Sequence, residues 1–251
     1  MKTKFEIKDH DGPGRLGKLG KILTPNVFNE NDSNTLVAKD ESSAYNVDRE
    51  IAEWSVRKTI ELAKEEKEKN PDCDIAVIQG SKYTDLRIQC AKKLENLGYS
   101  GLIIANGDDL ILHPRDLVDM TVTIRENIKP NTYLIFTFAE CSFIPFLSYI
   151  GIDGFLSGAD EYYSYLNVMM TATKNYDLEV YKIYEMNQEQ LAQCNKHTID
   201  FVLRETREHM KNKTLRNLVE ERGVTSPQIA TALKILDKDY QEYLQKYTQL
   251  Y

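Results

Sequence analysis

The chain has 251 residues, of which 41% are hydrophobic and 28% are charged, so it is long enough to bury a sizeable core. Its 32 lysines and arginines against 39 aspartates and glutamates give a net charge of -7, which argues against a protein that binds nucleic acid by bulk attraction. The opening residues lack a signal-like apolar stretch, and no run is long enough to span a membrane. These features predict a cytoplasmic protein without a membrane segment.

The cysteines and histidines predict neither a disulfide framework nor a metal site. Cys73, Cys90, Cys141 and Cys194 lie 17, 51 and 53 residues apart, so the chain has no CxxC pair. The four histidines show no ligand spacing with one another. We therefore expect reduced thiols, no metal and no cofactor.

The first 46 residues combine a glycine-rich turn with a polar stretch. Residues 5–9 alternate apolar and polar side chains before a Gly-Pro-Gly break, which predicts a β-hairpin. Residues 12–17 spell GxGxxG, but no helical period follows them, so a hairpin explains them better than a dinucleotide site. Residues 24–46 are rich in Asn, Asp and Ser, and they predict an irregular or mobile connection.

Strand and helix patterns then alternate along the chain. A helix of about 22 residues is predicted from Val47, and apolar strands follow at residues 74–79, 101–106, 133–138 and 152–156. Each of the first three strands leads into an amphipathic helix. A spacing of roughly 25 to 30 residues is typical of βα units with a parallel sheet, either closed as a barrel or open.

The remaining residues are mostly helical in pattern. Residues 178–184 alternate as a late edge strand would, and residues 188–251 contain three amphipathic segments. We therefore predict an α/β unit over residues 1–187 and a C-terminal helical segment over residues 188–251 that packs on it.

Polar residues follow the predicted strands at their carboxyl ends, where function collects in parallel α/β folds. An amide, glycines and carboxylates at these ends suit a purine-like base, which needs paired donors and acceptors. Ordinary polar loops are the alternative interpretation. The candidate base-binding residues are Gln79, Gly80, Asn106, Gly107 and Asp108.

Residues 75–87 read IAVIQGSKYTDLR, which resembles the "VQGGxYxDLR" segment of the tRNA-guanine transglycosylase family. Residues 5–19, 149–155 and 215–222 support the resemblance in the same order along the chain. The similarity is to the archaeal branch, which includes archaeosine tRNA-ribosyltransferase and the N-terminal transglycosylase-like domain of archaeosine synthase.

This resemblance implies a modified or incomplete (β/α)8 TIM-type barrel with an N-terminal hairpin and a C-terminal helical extension. It also implies exchange of guanine for a 7-deazaguanine in tRNA through a covalent ribosyl intermediate, which requires a nucleophilic carboxylate. Aligning residues 151–155 with the family's "GIDMF" places Leu156 at the nucleophile position. Asp160 is the nearby carboxylate that we consider as a substitute.

Three hypotheses follow from the resemblance. The first is a subunit of the archaeosine pathway that lacks the nucleophile and works with a second protein carrying catalytic or PUA-type domains. The second is an active tRNA-ribosyltransferase, or a small-base-binding enzyme, that uses Asp160. The third is a purely structural partner protein. The sequence leaves open a homo- or hetero-oligomer.

A basic stretch near the C-terminal helices could contact tRNA, either directly or together with the partner. Four nearby glutamates dilute this charge, so a solvated mixed-charge helix is the alternative interpretation. The candidate tRNA-binding residues are Lys211, Lys213, Arg216 and Arg222.

Overall fold

The computed structural model of the protein describes residues 4–29 and 36–247. The chain begins with an antiparallel sheet of three strands, β1 (Phe5–Asp11), β2 (Gly14–Leu19) and β3 (Ile22–Thr24). The predicted hairpin is present, with Gly12 in the left-handed region at φ 56° in its turn.

Five further strands form a parallel sheet in the order β4-β8-β7-β6-β5. Val37 adds a parallel bridge to Ile75 beside β5. The parallel arrangement predicted from the strand spacing is therefore confirmed. The strands are β4 (Asn26–Phe28), β5 (Ile75–Ile78), β6 (Gly101–Ile104), β7 (Tyr133–Phe136) and β8 (Gly154–Leu156).

The two faces of this sheet belong to separate apolar clusters. On one face Ile75, Ile103 and Ile135 pack with Phe5 and Leu19 from the hairpin, and we call this group the inner cluster. Side chains that alternate with them along the strands point to the other face and pack among the helices. Because both faces are covered, the strands read as continuous apolar runs in the sequence.

Helices cover the second face. The first helix begins at Arg49, close to the predicted start at Val47. All but one of the later helices of this group follow a strand of the parallel sheet, directly or after a short turn, whereas Pro114–Asn127 follows the short helix Gly107–Leu112. The helices are α1 (Arg49–Lys69), α2 (Thr84–Asn96), α3 (Gly107–Leu112), α4 (Pro114–Asn127), α5 (Ile144–Tyr149) and α6 (Ala159–Tyr165), with a 3-10 turn at Cys141–Phe143.

Asp153, buried beside the start of β8, connects the hairpin to the sheet. Its carboxylate accepts hydrogen bonds from Arg15 Nε at 2.8 Å and from the Leu134 amide at 2.8 Å. The Arg125 guanidinium lies 3.5 Å away. Two buried cations thus share one buried anion, which anchors the hairpin against the sheet.

The segment over residues 24–46 has little regular secondary structure in its described part, but contacts with the rest of the molecule hold it in place. It contains β4, and Val37 bridges to β5. The Glu41 amide donates to Thr59 Oγ1 at 3.0 Å, and its carbonyl accepts from Ser55 Oγ at 2.5 Å. Contacts with the sheet and with α1 therefore order a polar stretch that has few apolar residues of its own. Residues 30–35 lie outside the described part.

The edge strand predicted over residues 178–184 is wrong. The chain instead forms a small hairpin, β9 (Val168–Met170) and β10 (Asn175–Asp177), followed at once by α7 (Leu178–Tyr181). The Asp177 carboxylate accepts from the amides of Glu179 and Val180 and so caps this helix. The helix cap therefore decides the local structure, although the alternating apolar and polar residues are typical of a strand.

In the described residues after 187, four helices pack on the α/β unit, where the sequence pattern predicted three amphipathic segments. The first begins with a capping box between Asn187 and Gln190 and lies against the hairpin, α5 and α6. In the described part of the chain, no helix is both long enough and apolar enough to cross a membrane. The helices are α8 (Gln188–Lys211), α9 (Leu215–Thr225), α10 (Pro227–Asp239) and α11 (Gln241–Tyr247).

Candidate functional site

The carboxyl edge of the parallel sheet carries four sharply turned loops. Each loop contains a residue in the left-handed region, with φ of 51° at Ser81, 60° at Asn106, 50° at Phe138 and 99° at Gly158. Only glycine adopts this conformation without strain, so three of the four positions hold a costly backbone geometry. Such geometry is typical of sites where loops must place particular groups.

Gln79 lies at this edge, directly after β5, and it is 1% exposed. Its amide nitrogen donates to Asp40 Oδ2 at 2.7 Å. Its amide oxygen is buried and accepts no hydrogen bond from the described residues. The pair therefore combines an unused acceptor with a carboxylate, which suits a ligand that carries N–H donors.

Asp40 is the residue that sequence reasoning missed. It belongs to the polar stretch of residues 24–46, where nothing in the composition distinguishes one Asp from another. Its position depends on Val37, which bridges to β5 and carries the following residues to the end of that strand.

Arg87 holds two of the strand-end loops together. Its buried guanidinium donates to the carbonyl oxygens of Ser81 at 2.7 Å and Ala105 at 3.0 Å, and to Asn106 Oδ1 at 3.1 Å. Burial lowers the pKa of Arg87 to about 10, so it stays protonated at neutral pH. A Cβ on Gly80 would lie 2.8 Å from Arg87 Cγ, which explains the glycine there.

The side-chain amide of Asn106 forms hydrogen bonds with neighbouring residues of the chain. The amide oxygen accepts from Arg87, and the amide nitrogen donates to the Ser43 carbonyl oxygen at 3.0 Å. The predicted residues Gly80 and Asn106 therefore meet around Arg87, and Gln79 precedes Gly80 with Asp40 as its hydrogen-bond partner. Among them, Gln79 retains an unused buried acceptor.

The other two predicted base-binding residues lie at the start of α3. The Gly107 amide donates to Thr137 Oγ1 at 3.1 Å, and a Cβ there would lie 2.1 Å from the Thr137 carbonyl oxygen. Asp108 interacts with the hydroxyl of Tyr162, whose pKa is raised by burial and by the negative charge of Asp108. Asp108 thus faces α6 across the strand ends.

A cavity of about 930 Å³ lies beside the ends of β4 and β8, between them and α8. Leu156 and Asp160 both line it. Gln79, Asn106 and Asp108 are not part of its lining. The structure therefore places Leu156, which the resemblance puts at the nucleophile position, and Asp160, its candidate substitute, in the lining of one cavity. This cavity is separate from the residues around Arg87.

Leu156 ends β8 with its side chain against the inner cluster. Gly154 and Leu156 share one face of the strand, and Phe155 points to the helix-covered face. The position assigned to the nucleophile therefore holds an aliphatic side chain that packs among apolar residues.

Glu140 is a further carboxyl group at this edge, and sequence reasoning did not single it out as a site residue. Burial raises the pKa of its carboxyl group, and the side chain forms no hydrogen bond or ion pair with any described residue. It follows Phe138, whose carbonyl oxygen accepts from the Tyr163 hydroxyl at 3.2 Å. Its place at a strand end is visible in the sequence, whereas its burial depends on the surrounding loops.

All four cations predicted to contact tRNA form ion pairs with carboxylates of the chain. Arg222 is 2% exposed, so almost none of its surface faces solvent. Direct contact of these residues with tRNA stays a prediction, and the ion pairs compete with it. The pairs are Lys211–Glu208 at 2.6 Å, Lys213–Asp9 at 2.5 Å, Arg216–Asp237 at 2.6 Å and Arg222–Glu205 at 2.5 Å.

The sequence model of the queuine tRNA-ribosyltransferase family matches residues 26–214. Archaeosine synthase of Methanocaldococcus jannaschii is 33% identical over 125 residues, covering 50% of this chain and 21% of the relative. The tRNA-guanine(15) transglycosylase of Thermococcus kodakarensis is 28% identical over 223 residues, covering 79% of this chain and 38% of the relative.

Queuine tRNA-ribosyltransferase of Caldanaerobacter subterraneus subsp. tengcongensis is 29% identical over 134 residues, covering 50% of this chain and 35% of the relative. The chain thus spans between 21% and 38% of the length of these curated relatives.

Proposed function

This chain belongs to the queuine tRNA-ribosyltransferase family, and from that premise we propose that it acts in tRNA modification, in the archaeosine (7-deazaguanine) pathway. In this proposal it is a transglycosylase-like subunit that lacks the ribosyl-exchange nucleophile. It holds the base or presents the tRNA, and a second protein supplies the catalytic or PUA-type domains.

The observation that carries the proposal is Leu156. The resemblance of residues 151–155 to the family's segment implies that Leu156 stands at the nucleophile position, and its side chain packs against the inner cluster. An alkyl side chain has no lone pair with which to attack the ribose carbon, so it cannot form a covalent ribosyl intermediate. Loss of this one group removes ribosyl exchange while leaving a base site intact.

Gln79 and Asp40 support retention of a base site. Gln79 offers a buried amide oxygen as an acceptor, and the Asp40 carboxylate lies 2.7 Å from its amide nitrogen. A 7-deazaguanine carries N–H donors that would satisfy both acceptors. Asn106, Gly107 and Asp108 shape the neighbouring loops in this proposal.

We also propose that the parallel sheet is an incomplete (β/α)8 barrel. Its two edges are β4 and the Val37 bridge, which are successive segments of the chain. Contact between these edges would enclose the inner cluster. Phe28 of β4 and Val37 of the bridge both pack with this cluster.

Isothermal titration with a 7-deazaguanine and exchange of labelled guanine into a tRNA transcript test the proposal. The protein should bind the base and incorporate no label. Gln79→Leu should weaken base binding by more than about tenfold. The substitution removes the amide oxygen that accepts from the base and the amide nitrogen that donates to Asp40. Gln193→Leu, an exposed amide in the lining of the separate cavity, is the matched control and should bind normally. Label incorporation by this chain alone would contradict the missing-nucleophile proposal.

The second candidate function, an active enzyme that uses Asp160, is favoured by one observation. Asp160 and Leu156 line the same cavity, so a carboxylate lies near the vacated position. In that case guanine exchange would occur with the wild-type chain and would be abolished by Asp160→Asn. A purely structural partner would bind neither the base nor tRNA.

A further inference from the structure

The exposed face of the N-terminal sheet carries an unusual share of positive charge for a protein of net charge -7. Lys18 on β2 lies directly opposite Glu6 on β1, and Lys8 Nζ lies 2.5 Å from the Glu6 carboxylate. Lys4 precedes Glu6 by two residues, and Lys21 is exposed in the turn between β2 and β3. The register places Asp9 and Asp11 on the same side of β1, and Lys213 is paired with Asp9, so five lysines against three carboxylates give this face a formal charge of +2. We call Lys4, Lys8, Lys18 and Lys21 the lysine face.

The electrostatics of Glu6 show that Lys4, Lys8 and Lys18 all act on this one carboxylate. The hydrogen bond from Lys8 lowers the pKa of Glu6, and the positive charges of Lys8, Lys18 and Lys4 lower it further. Apart from the Lys8–Glu6 contact, the lysine face forms no ion pair with the residues in ranges 4–29 and 36–247. Its charge is therefore available to an external anion.

Compared with the four C-terminal cations, the lysine face is the more suitable surface for binding a polyanion. Those cations are each held by carboxylates of the chain, and one of them is almost fully buried. A phosphate would have to displace these carboxylates, whereas at the lysine face it would replace only water and counter-ions. Exposed lysines on a strand face also carry flexible charges suited to non-specific phosphate contact.

We infer that the lysine face, formed by Lys4, Lys8, Lys18 and Lys21, is a contact surface for the phosphate backbone of the RNA substrate. The inference rests on the proposed function in tRNA modification and names where the tRNA is held. Charge complementarity selects the partner, since a dense row of phosphates matches a sheet face of net positive charge on an otherwise acidic protein. The base-binding residues remain those around Gln79.

The test measures binding of an unmodified tRNA transcript by fluorescence anisotropy at several salt concentrations. The triple variant Lys4→Ala, Lys8→Ala, Lys18→Ala should bind at least about tenfold more weakly than wild type. Its slope of log K against log salt should fall by about 2 to 3, because each phosphate contact contributes roughly 0.7 to 0.9. The matched control replaces three exposed lysines on other elements, Lys64, Lys93 and Lys234, by alanine and should bind as wild type does.

Three results would overturn the inference: unchanged tRNA binding by the triple variant, an equal loss in the control, or a loss of binding to polyglutamate without a loss for tRNA. Base binding is measured in parallel on the same variants. If the triple variant binds both the 7-deazaguanine and tRNA as wild type does, the lysine face is not the tRNA contact surface, and the proposed function still stands. Loss of base binding by the wild-type chain would reject the proposed function itself.

Discussion

Arg87 is a buried guanidinium that donates hydrogen bonds to three uncharged oxygens, two of the backbone and one of the Asn106 side chain. Burying a cation without a carboxylate is costly, and here it is offset by three donors meeting three acceptors that would otherwise be unsatisfied. At the scale of single residues, the loops of the candidate site thus depend on one side chain from α2.

Replacing Arg87 by methionine keeps the length of the side chain and removes its donors. The carbonyls of Ser81 and Ala105 then lose their partners, so the free energy of unfolding should fall by about 3 kcal/mol or more. Urea denaturation measures this. Lys93→Met, on the exposed side of the same helix, should change it by less than about 0.5 kcal/mol. Equal effects of the two substitutions would contradict the role given to Arg87.

Glu140 predicts a pH dependence of stability. Burial raises the pKa of its carboxyl group in the folded state, so folding favours the protonated form. The unfolded chain therefore releases this proton at lower pH than the folded chain, and stability falls as pH rises from about 4.5 through the folded pKa.

Glu140→Gln removes that dependence, and it should raise the urea midpoint at pH 8 relative to wild type. At pH 4 the two proteins should be much closer, because Glu140 is then largely protonated in both states. An equal gain at both pH values would show that packing rather than ionisation is responsible.

At the scale of elements, the space around a glycine in a helix shows whether a larger residue could replace it. Gly107 begins α3 with its Cα against β7, so close that a Cβ would lie 2.1 Å from the Thr137 carbonyl oxygen. Gly223 lies inside α9, where the nearest atom to such a Cβ, Ala230 Cα, is 3.7 Å away. The same residue type thus marks a close approach in one helix and a replaceable position in another.

Alanine substitutions should therefore have opposite effects in these two helices. Gly107→Ala should lower the free energy of unfolding by about 2 kcal/mol or more, because the backbone of Thr137 has to move. Gly223→Ala should raise it by up to about 1 kcal/mol through helix propensity. Thermal unfolding of the two variants beside wild type measures both. Destabilisation by both substitutions would contradict the spacing described around Gly223.

At the scale of the whole molecule, the C-terminal helices complete the core of the α/β unit. Buried residues of α8, α9 and α10, such as Val202, Leu218 and Ile229, belong to the same apolar cluster as the outer face of the parallel sheet. The boundary predicted at residue 187 is thus crossed by a continuous core, even though the sequence pattern changes there.

A fragment of residues 1–187 should therefore fail to give a cooperative unfolding transition, whereas the full chain should give one. Removal of the helices exposes the apolar surface that they cover on α4 and α5. Calorimetry of both proteins in the same buffer tests this. A sharp transition for the fragment would show instead that the two predicted segments are independent domains.

The sequence by itself determined the strands β5 to β8, the helices α2, α4 and α5, and the family, because continuous apolar runs, helical periods and the residue 75–87 motif are local patterns. It also identified Gln79, whose place after a buried strand can be read directly. These features depend on neighbours within a few residues, so no knowledge of the chain path is needed.

Only the tertiary structure decided which distant groups meet. The pairing of β4 with β8, the contact of Asp40 with Gln79, and the ion pairs that occupy the C-terminal cations join residues far apart in the chain. A polar residue looks the same in the sequence whether it ends beside a carboxylate, an amide or solvent. Its environment is set by packing of the surrounding elements, and for that reason the sequence left the partners of these charges open.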